Sequence, residues 1–170
     1  MGDRSRERST QEDQRIRKAL VMKTVAQLLQ SKSPGVIAIS PYAKVLDAVR
    51  LLAEKGVGCL LVMEGIHLLG IVSERDYARK LILMGKSSEA TLVSEVMTKE
   101  VFVVTPAHTD VECMVIMDKK KIRHLPVTEN DQVIGVLSIR DLLKEFIAEQ
   151  QSVIDKLTNY TGPKEGMDAA

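Results

Sequence analysis

The sequence predicts a mixed α+β fold: two β-α-β-β-α repeats packed about a pseudo-twofold axis, followed by an extended C-terminal helix. Three observations carry this. The first is duplication. Gly70-Ile71-Val72-Ser73-Glu74-Arg75-Asp76 returns 65 residues later as Gly135-Val136-Leu137-Ser138-Ile139-Arg140-Asp141, and a fixed internal period marks a repeated supersecondary unit. Residues 36–76 align on 101–141 without a gap, and 10 of the 41 positions are identical, among them Pro41/Pro106, Lys55/Lys120, Leu60/Leu125 and Val62/Val127. The second is that apolar spacing switches between strand and helix periods in the same order in both copies. The third is size: 170 residues at 45% hydrophobic content suffice to bury roughly 70% of the unfolded surface without disulfide staples.

The elements follow in chain order. Residues 1–18 hold six basic and four acidic residues and almost nothing apolar. They read as a mobile polar tail, fitting neither a secretory signal nor an acid-poor transit peptide. The first copy occupies 19–88. Val25-Ala26-Gln27-Leu28-Leu29 matches Val93-Ser94-Glu95-Val96-Met97 at an offset of 68, so this copy carries three extra residues near Ser31–Gly35, a loop. Val36–Ser40 is a short β-rich run stopped by Pro41, and Val45, Leu46, Val49, Leu52 and Ala53 recur at helical spacing. Cys59–Met63 and Leu68–Val72, joined by the polar turn Glu64–His67, form a hairpin. Tyr77, Leu81 and Met84 line a closing helix. The second copy, 89–158, repeats the series with Val101–Thr105, then Val111, Met114, Val115 and Met117, then a hairpin of Leu125–Thr128 and Val133–Leu137 turning at Glu129–Gln132. Its closing helix begins with Leu142, Leu143, Phe146 and Ile147 and continues through Gln150, Ile154 and Leu157, beyond what one repeat needs. Residues 159–170 read as a disordered tail. One repeat alone leaves a sheet face uncovered, so the two copies are expected to pack on each other.

Composition excludes several function classes. Lys+Arg 24 against Asp+Glu 23 leaves a net charge of +1, without the basic excess of a nucleic-acid binder. No Trp, three Tyr and two Phe cannot build a base-stacking platform. No run of ~18 apolar residues predicts a membrane span. Cys59 and Cys113 sit far apart in apolar runs, as buried reduced thiols of a cytoplasmic protein do. No metal-ligand spacing is present. His67 and His108 belong to no nucleophile–base set, and no acid–base carboxylate pair falls in one place, so no enzyme is predicted. Met97, Met114 and Met117 read as core fillers. Gly85-Lys86-Ser87 resembles the end of a phosphate-binding loop, but Lys80 stands where that loop needs glycine, and a helix stop is the better reading. Asn159-Tyr160-Thr161 is a formal glycosylation sequon with no secretory signal to give it meaning.

The two Gly-h-h-Ser-x-Arg-Asp segments, the strand entry Lys121-Ile122-Arg123-His124-Leu125-Pro126-Val127 and the lead-in Val96-Met97-Thr98 together resemble a tandem pair of cystathionine-β-synthase (CBS) domains, the Bateman module, over residues 20–150. The resemblance implies a non-catalytic regulatory module. It would bind an adenosyl ligand (AMP, ADP, ATP, NAD(H) or S-adenosylmethionine) between the repeats, require no resident cofactor or metal, form a homodimer and signal energy or redox state to a partner. A ligand-independent dimeric scaffold is the alternative.

Asp76 and Asp141 each follow a serine by three residues at a strand-to-helix junction. That pattern caps a helix; a carboxylate there also accepts hydrogen bonds from both hydroxyls of a ribose, and the roles coexist. The resemblance implies that each cleft joins the Ser and Asp of one repeat to the strand entry of the other. Ser73 and Asp76 would then face Arg123, His124 and Pro126, with Val101 and Phe102 near the adenine. Guanidinium geometry suits a phosphate at Arg123. The second site would use Ser138, Asp141, Val36 and Ile37 but meet Gly58 and Cys59 where the first has Arg123 and His124, so unequal sites are expected. Arg75 and Arg140 read as further phosphate donors or as surface residues.

Overall fold

The computed structural model describes residues 22–32 and 35–160. The expected N-terminal tail and residues 161–170 lie outside that range. The described residues divide into two units, Lys23–Ser138, and Met22 with the helix that starts at Ile139.

The first unit opens with α1 (Val25–Gln30), fixed by a capping box in which the Thr24 hydroxyl accepts from Gln27 N–H and the Gln27 side chain accepts from Thr24 N–H. After it come β1 (Ala38–Ile39), α2 (Val45–Lys55), β2 (Cys59–Glu64) and β3 (His67–Ser73). α3 (Glu74–Asp76) runs directly into a π-helical turn, Tyr77–Ile82. The second copy supplies α4 (Val93–Val96), α5 (Asp110–Lys120), β4 (His124–Glu129) and β5 (Gln132–Ser138). Both hairpins are antiparallel with matching registers, Cys59 opposite Ser73 and His124 opposite Ser138, and both slip register at the same place, after Val62 and after Val127. The β4–β5 turn places Asn130 and Asp131 at φ 50 and 60, the left-handed pair that a two-residue hairpin loop demands and that these side chains tolerate.

The duplication is imperfect in its first strands. β1 pairs in parallel with β2 through Ala38 and Ile39, whereas the expected strand Val101–Thr105 contributes a single parallel bridge, Val104 to Val127. Helix faces also differ from the expected stripes. α5 buries Asp110, Cys113 and Met117 and leaves Val111 and Val115 exposed, and Met84 is exposed beside buried Leu81. Spacing of i, i+3, i+7 fits the buried set, and the second apolar stripe of α5 lies on another face of the same helix.

The leading helices are exchanged between the copies. α4 begins the second copy, yet Val93 N–H donates to the Ala43 carbonyl and Ser94 N–H to the Pro41 carbonyl. Val93 and Val96 are buried in one cluster with Val45, Ala48, Leu52, Leu60, Val62, Val72 and Leu81 of the first copy. α1 mirrors this: Val25 N–H donates to the His108 carbonyl and Ala26 N–H to the Pro106 carbonyl. The duplicated prolines are thus the acceptors that receive the other copy's helix. Sequence repeat and packing unit therefore do not coincide. The duplicated glycines complete the contact. A Cβ on Gly70 would meet Met97 Sδ at 2.8 Å and the Thr98 carbonyl oxygen at 2.9 Å, and one on Gly135 would meet Leu29 Cδ2 at 2.8 Å.

The second unit contains α6 (Ile139–Tyr160), about 33 Å of helix. It continues two residues into the segment expected to be disordered. Leu142 is buried, whereas Leu143, Phe146, Ile147 and Ile154 are exposed. Among the described residues no helix is long and apolar enough to cross a membrane.

Candidate functional site

The site is built where β3 ends. Ser73 leaves the strand with extended backbone and caps α3, its hydroxyl accepting from Asp76 N–H at 3.3 Å. Asp76 reaches back: Oδ2 accepts from Ser73 N–H at 3.0 Å and from the Ser73 hydroxyl at 2.6 Å. Its other oxygen, Oδ1, accepts from Lys80 Nζ at 2.7 Å and from the Thr98 hydroxyl at 3.1 Å. The capping role read from the sequence is therefore present, and Asp76, 8% exposed, belongs to a wider polar network. Burial pushes its carboxyl up; hydrogen bonds from Lys80 and Ser73, the Lys80 charge and the Thr98 hydroxyl outweigh this and hold it below the usual carboxylate range.

A cleft of about 110 Å³ opens beside this carboxylate, and its lining comes from both copies. Ile71, Ser73, Arg75 and Asp76 come from the first repeat; Thr98, Glu100, Val101, Phe102, Ile122, Arg123 and His124 come from the second, Thr98 and Glu100 from the segment that follows α4. The structure thus brings together Ser73, Asp76, Val101, Phe102, Arg123 and His124. Pro126 does not join them: it is buried in β4, where its carbonyl accepts from Val104 N–H at 3.0 Å. Lys120 stacks its ammonium 4.2 Å from the Phe102 ring centroid, a cation–π contact that fixes this wall. Arg75 donates to the Lys121 carbonyl at 2.8 Å, tying the first repeat to the end of α5, where a cation is favoured. Gly58, aligned with Arg123, faces the second repeat: a Cβ there would lie in van der Waals contact with the His124 ring at 3.4 Å.

Of the second-site candidates, Val36 and Ile37 are half-buried before β1, with the Ile37 carbonyl accepting from Leu61 N–H. Ser138 ends β5, and Asp141 stands in the first turn of α6 in the other unit. Lys32, from the three-residue insertion, donates to the Val136 carbonyl at 2.9 Å. That carbonyl is the counterpart of the Ile71 carbonyl, which accepts from Thr98 N–H. Lys32 also lies close enough to Cys59 for its charge to act on the thiol, so a cation stands where sequence alignment alone expected none. Burial nevertheless pushes Cys59 up to about 12 and Cys113 up to about 11, far from the thiolate needed for reactivity at neutral pH. His108 Nδ1 accepts from Thr105 N–H at 3.0 Å. No group of three or more His, Cys, Asp or Glu suited to a metal ion occurs among the described residues.

Sequence reasoning missed Lys80, Thr98 and Glu100 as site residues. Lys80 carried a legible signal, since it follows Asp76 by four residues, the spacing of a helical ion pair. Thr98 stood in a quoted motif without a role, and nothing in the sequence marked Glu100.

The CBS domain family profile matches residues 25–83 and 93–148. The chain is 32% identical over 165 residues, 92% of its length and 80% of the relative's, to the mitochondrial CBS domain-containing protein CBSX3 of Arabidopsis thaliana. It is 46% identical to a solved putative signal-transduction protein with CBS domains from Burkholderia ambifaria, at a TM-score of 0.74, covering 76% of this chain and 97% of that one. The CBS domain pair of protein MJ0100, solved with 5′-methylthioadenosine and S-adenosyl-L-methionine, shares the fold at 21% identity and a TM-score of 0.65, over 75% of this chain and 98% of that one. Two matched repeats, paired hairpins and a cleft between copies lead to one conclusion: the chain belongs to the CBS-domain family, as a tandem pair.

Proposed function

We propose that the chain is a non-catalytic regulatory module whose Asp76 cleft binds an adenine nucleotide, AMP or NAD(H) in preference to ADP or ATP, and reports energy or redox state to a partner protein. The observation that carries this reading is a buried, ionised carboxylate of one repeat sharing a cleft with Arg123 and His124 of the other. Asp76 with Ser73 suits a ribose, Arg123 suits a phosphate, and Val101 and Phe102 offer an apolar wall to the base. A ligand touching both copies has different contacts in each arrangement of them, which is what shifting an equilibrium requires. The MJ0100 complex supports the reading, since the same fold there holds adenosyl ligands. The enclosed 110 Å³ falls below the ~300 Å³ of a small-molecule site, so a nucleotide projects from the cleft along its open wall. The reading includes a cytosolic location and no nucleic-acid partner.

A thermal-shift series with AMP, ADP, ATP, NAD, NADH and S-adenosylmethionine tests it. Ligand at 100 times its Kd adds about 2.7 kcal/mol, or roughly 5–10 °C for a chain of this size; no shift with any of them overturns it. Arg123→Ala is expected to weaken AMP about tenfold and leave adenosine unchanged, as loss of a charge-assisted bond to phosphate requires. Equal losses for both ligands, read by calorimetry, would remove the phosphate role.

The second reading is a ligand-independent dimeric scaffold. The observation favouring it is that both Asp76 oxygens already accept hydrogen bonds within the chain. The exposed apolar residues Val111 and Val115 on α5, and Phe146 and Ile147 on α6, support a homodimer under either reading, and sedimentation in solution by analytical ultracentrifugation distinguishes dimer from monomer.

A further inference from the structure

We propose that Lys80 is the positioning residue of the Asp76 cleft: it holds the carboxylate toward the ligand and fastens it to the end of α4 and the residues after it in the second repeat. This rests on the reading above that Asp76 receives a ribose. An ammonium has three donors, and Lys80 Nζ lies against three acceptors: Asp76 Oδ1 at 2.7 Å, the Val96 carbonyl at 2.9 Å and the Thr98 hydroxyl at 3.0 Å. Val96 ends α4 and Thr98 follows it, so one side chain joins the cleft carboxylate to the exchanged helix.

The network also says which bonds a ligand exchanges. A carboxylate offers about four lone-pair positions, and Ser73 N–H, Ser73 hydroxyl, Lys80 and Thr98 hydroxyl take them. Ser73 N–H is fixed by the backbone, and Lys80 is held by the Val96 carbonyl. The two hydroxyls are different. Each turns about one bond, and they free one position on each oxygen, which is what the two hydroxyls of a ribose require. Lys80 stays in place and keeps the carboxylate ionised while they turn.

The duplication supplies an internal comparison. The residue aligned with Lys80 is Glu145, four residues after Asp141. Both lie on α6, where a like-charge pair at that spacing is unfavourable. The ammonium is therefore a property of the first repeat and not of the shared motif. The other charged or titratable groups around Asp76 are Glu74 and Arg75 on α3, Glu100, Arg123 and His124 across the cleft, and Cys59 on β2; of the cations, Lys80 is the one hydrogen-bonded to it.

The test is a carbon-13 carboxyl titration of Asp76 by NMR together with AMP affinity at pH 7.5 and 5.5, in the native chain, Lys80→Gln, Lys80→Met and Lys80→Arg. Gln keeps hydrogen-bonding groups without the charge, which guards against a Met variant that fails to fold. The Asp76 midpoint is expected to rise by about one pH unit in Lys80→Gln and Lys80→Met. AMP affinity relative to the native chain should fall by about threefold to tenfold at pH 7.5, after allowing for the partial exposure of the pair, and by the same factor at pH 5.5, because a midpoint raised by about one unit still leaves the carboxylate ionised there. Lys80→Arg should restore the low midpoint. An unmoved midpoint in Lys80→Gln overturns the proposal. If the native chain binds no AMP, the ribose reading fails, while the titration still decides whether Lys80 holds Asp76.

Discussion

Asp76→Ala is expected to weaken adenine-nucleotide binding by about 1.5–3 kcal/mol, roughly 10–150-fold in Kd. The substitution removes both acceptor oxygens and leaves Lys80 with the Val96 carbonyl and the Thr98 hydroxyl as its remaining partners. It also breaks the reciprocal cap with Ser73, at a cost of about 1 kcal/mol in stability. The two effects separate by pH. Because the folded carboxyl titrates below its ordinary value, Asp76 contributes stability above an unfolded pKa of about 3.9, and that contribution is lost as pH falls through the lower folded value. The alanine variant should lose that acid-side step while remaining folded at neutral pH by circular dichroism. Calorimetry with AMP then reads the binding loss. Native-like affinity in a folded Asp76→Ala protein would show that the carboxylate is structural.

Gly70→Ala is expected to destabilise the fold by about 1–3 kcal/mol, the usual range for forced overpacking. The new methyl would collide with the Thr98 carbonyl oxygen at 2.9 Å, and backbone cannot rotate away as a side-chain tip does. Thr98 is held there by two hydrogen bonds to Ile71, at 2.8 and 3.0 Å, so relief means breaking that bridge and pulling the Thr98 hydroxyl from Asp76. Ligand affinity should fall with stability. Gly135→Ala places its methyl nearest the Leu29 side chain, at 2.8 and 3.4 Å from its two methyls, and a leucine tip shifts cheaply. Urea melts should therefore rank Gly70→Ala as the more damaging of the pair; the reverse order would contradict the packing described.

Much of this architecture was legible because a duplication lets each copy test the other. The hairpins were read within a residue or two, since Cys59–Met63 and Leu125–Thr128 combine β-rich composition with short polar turns. The lining of the cleft was legible only through resemblance, because no local pattern says that Arg123 faces Ser73. Three features were hidden for identifiable reasons. Periodicity locates an apolar stripe but not which neighbour covers it, so the spacing of Val111, Met114, Val115 and Met117 marks α5 without saying that Cys113 and Met117 are buried while Val111 and Val115 are exposed. β-propensity at Val101–Thr105 did not guarantee a partner, and the run has one bridge. The jump in offset from 65 to 68 marked an insertion but not that the helices before it trade places.

That trade has a consequence for how the gene can be cut. A fragment ending before Val93 keeps the groove at Gly70 but loses the helix that fills it, and its own α1 has lost the Pro106 and His108 carbonyls it binds. The complementary fragment, from Val93 onward, carries that helix and those carbonyls, so each half has what the other lacks, as in domain-swapped dimers. By the same logic, the two halves of the present chain, expressed as separate polypeptides, should find each other in solution.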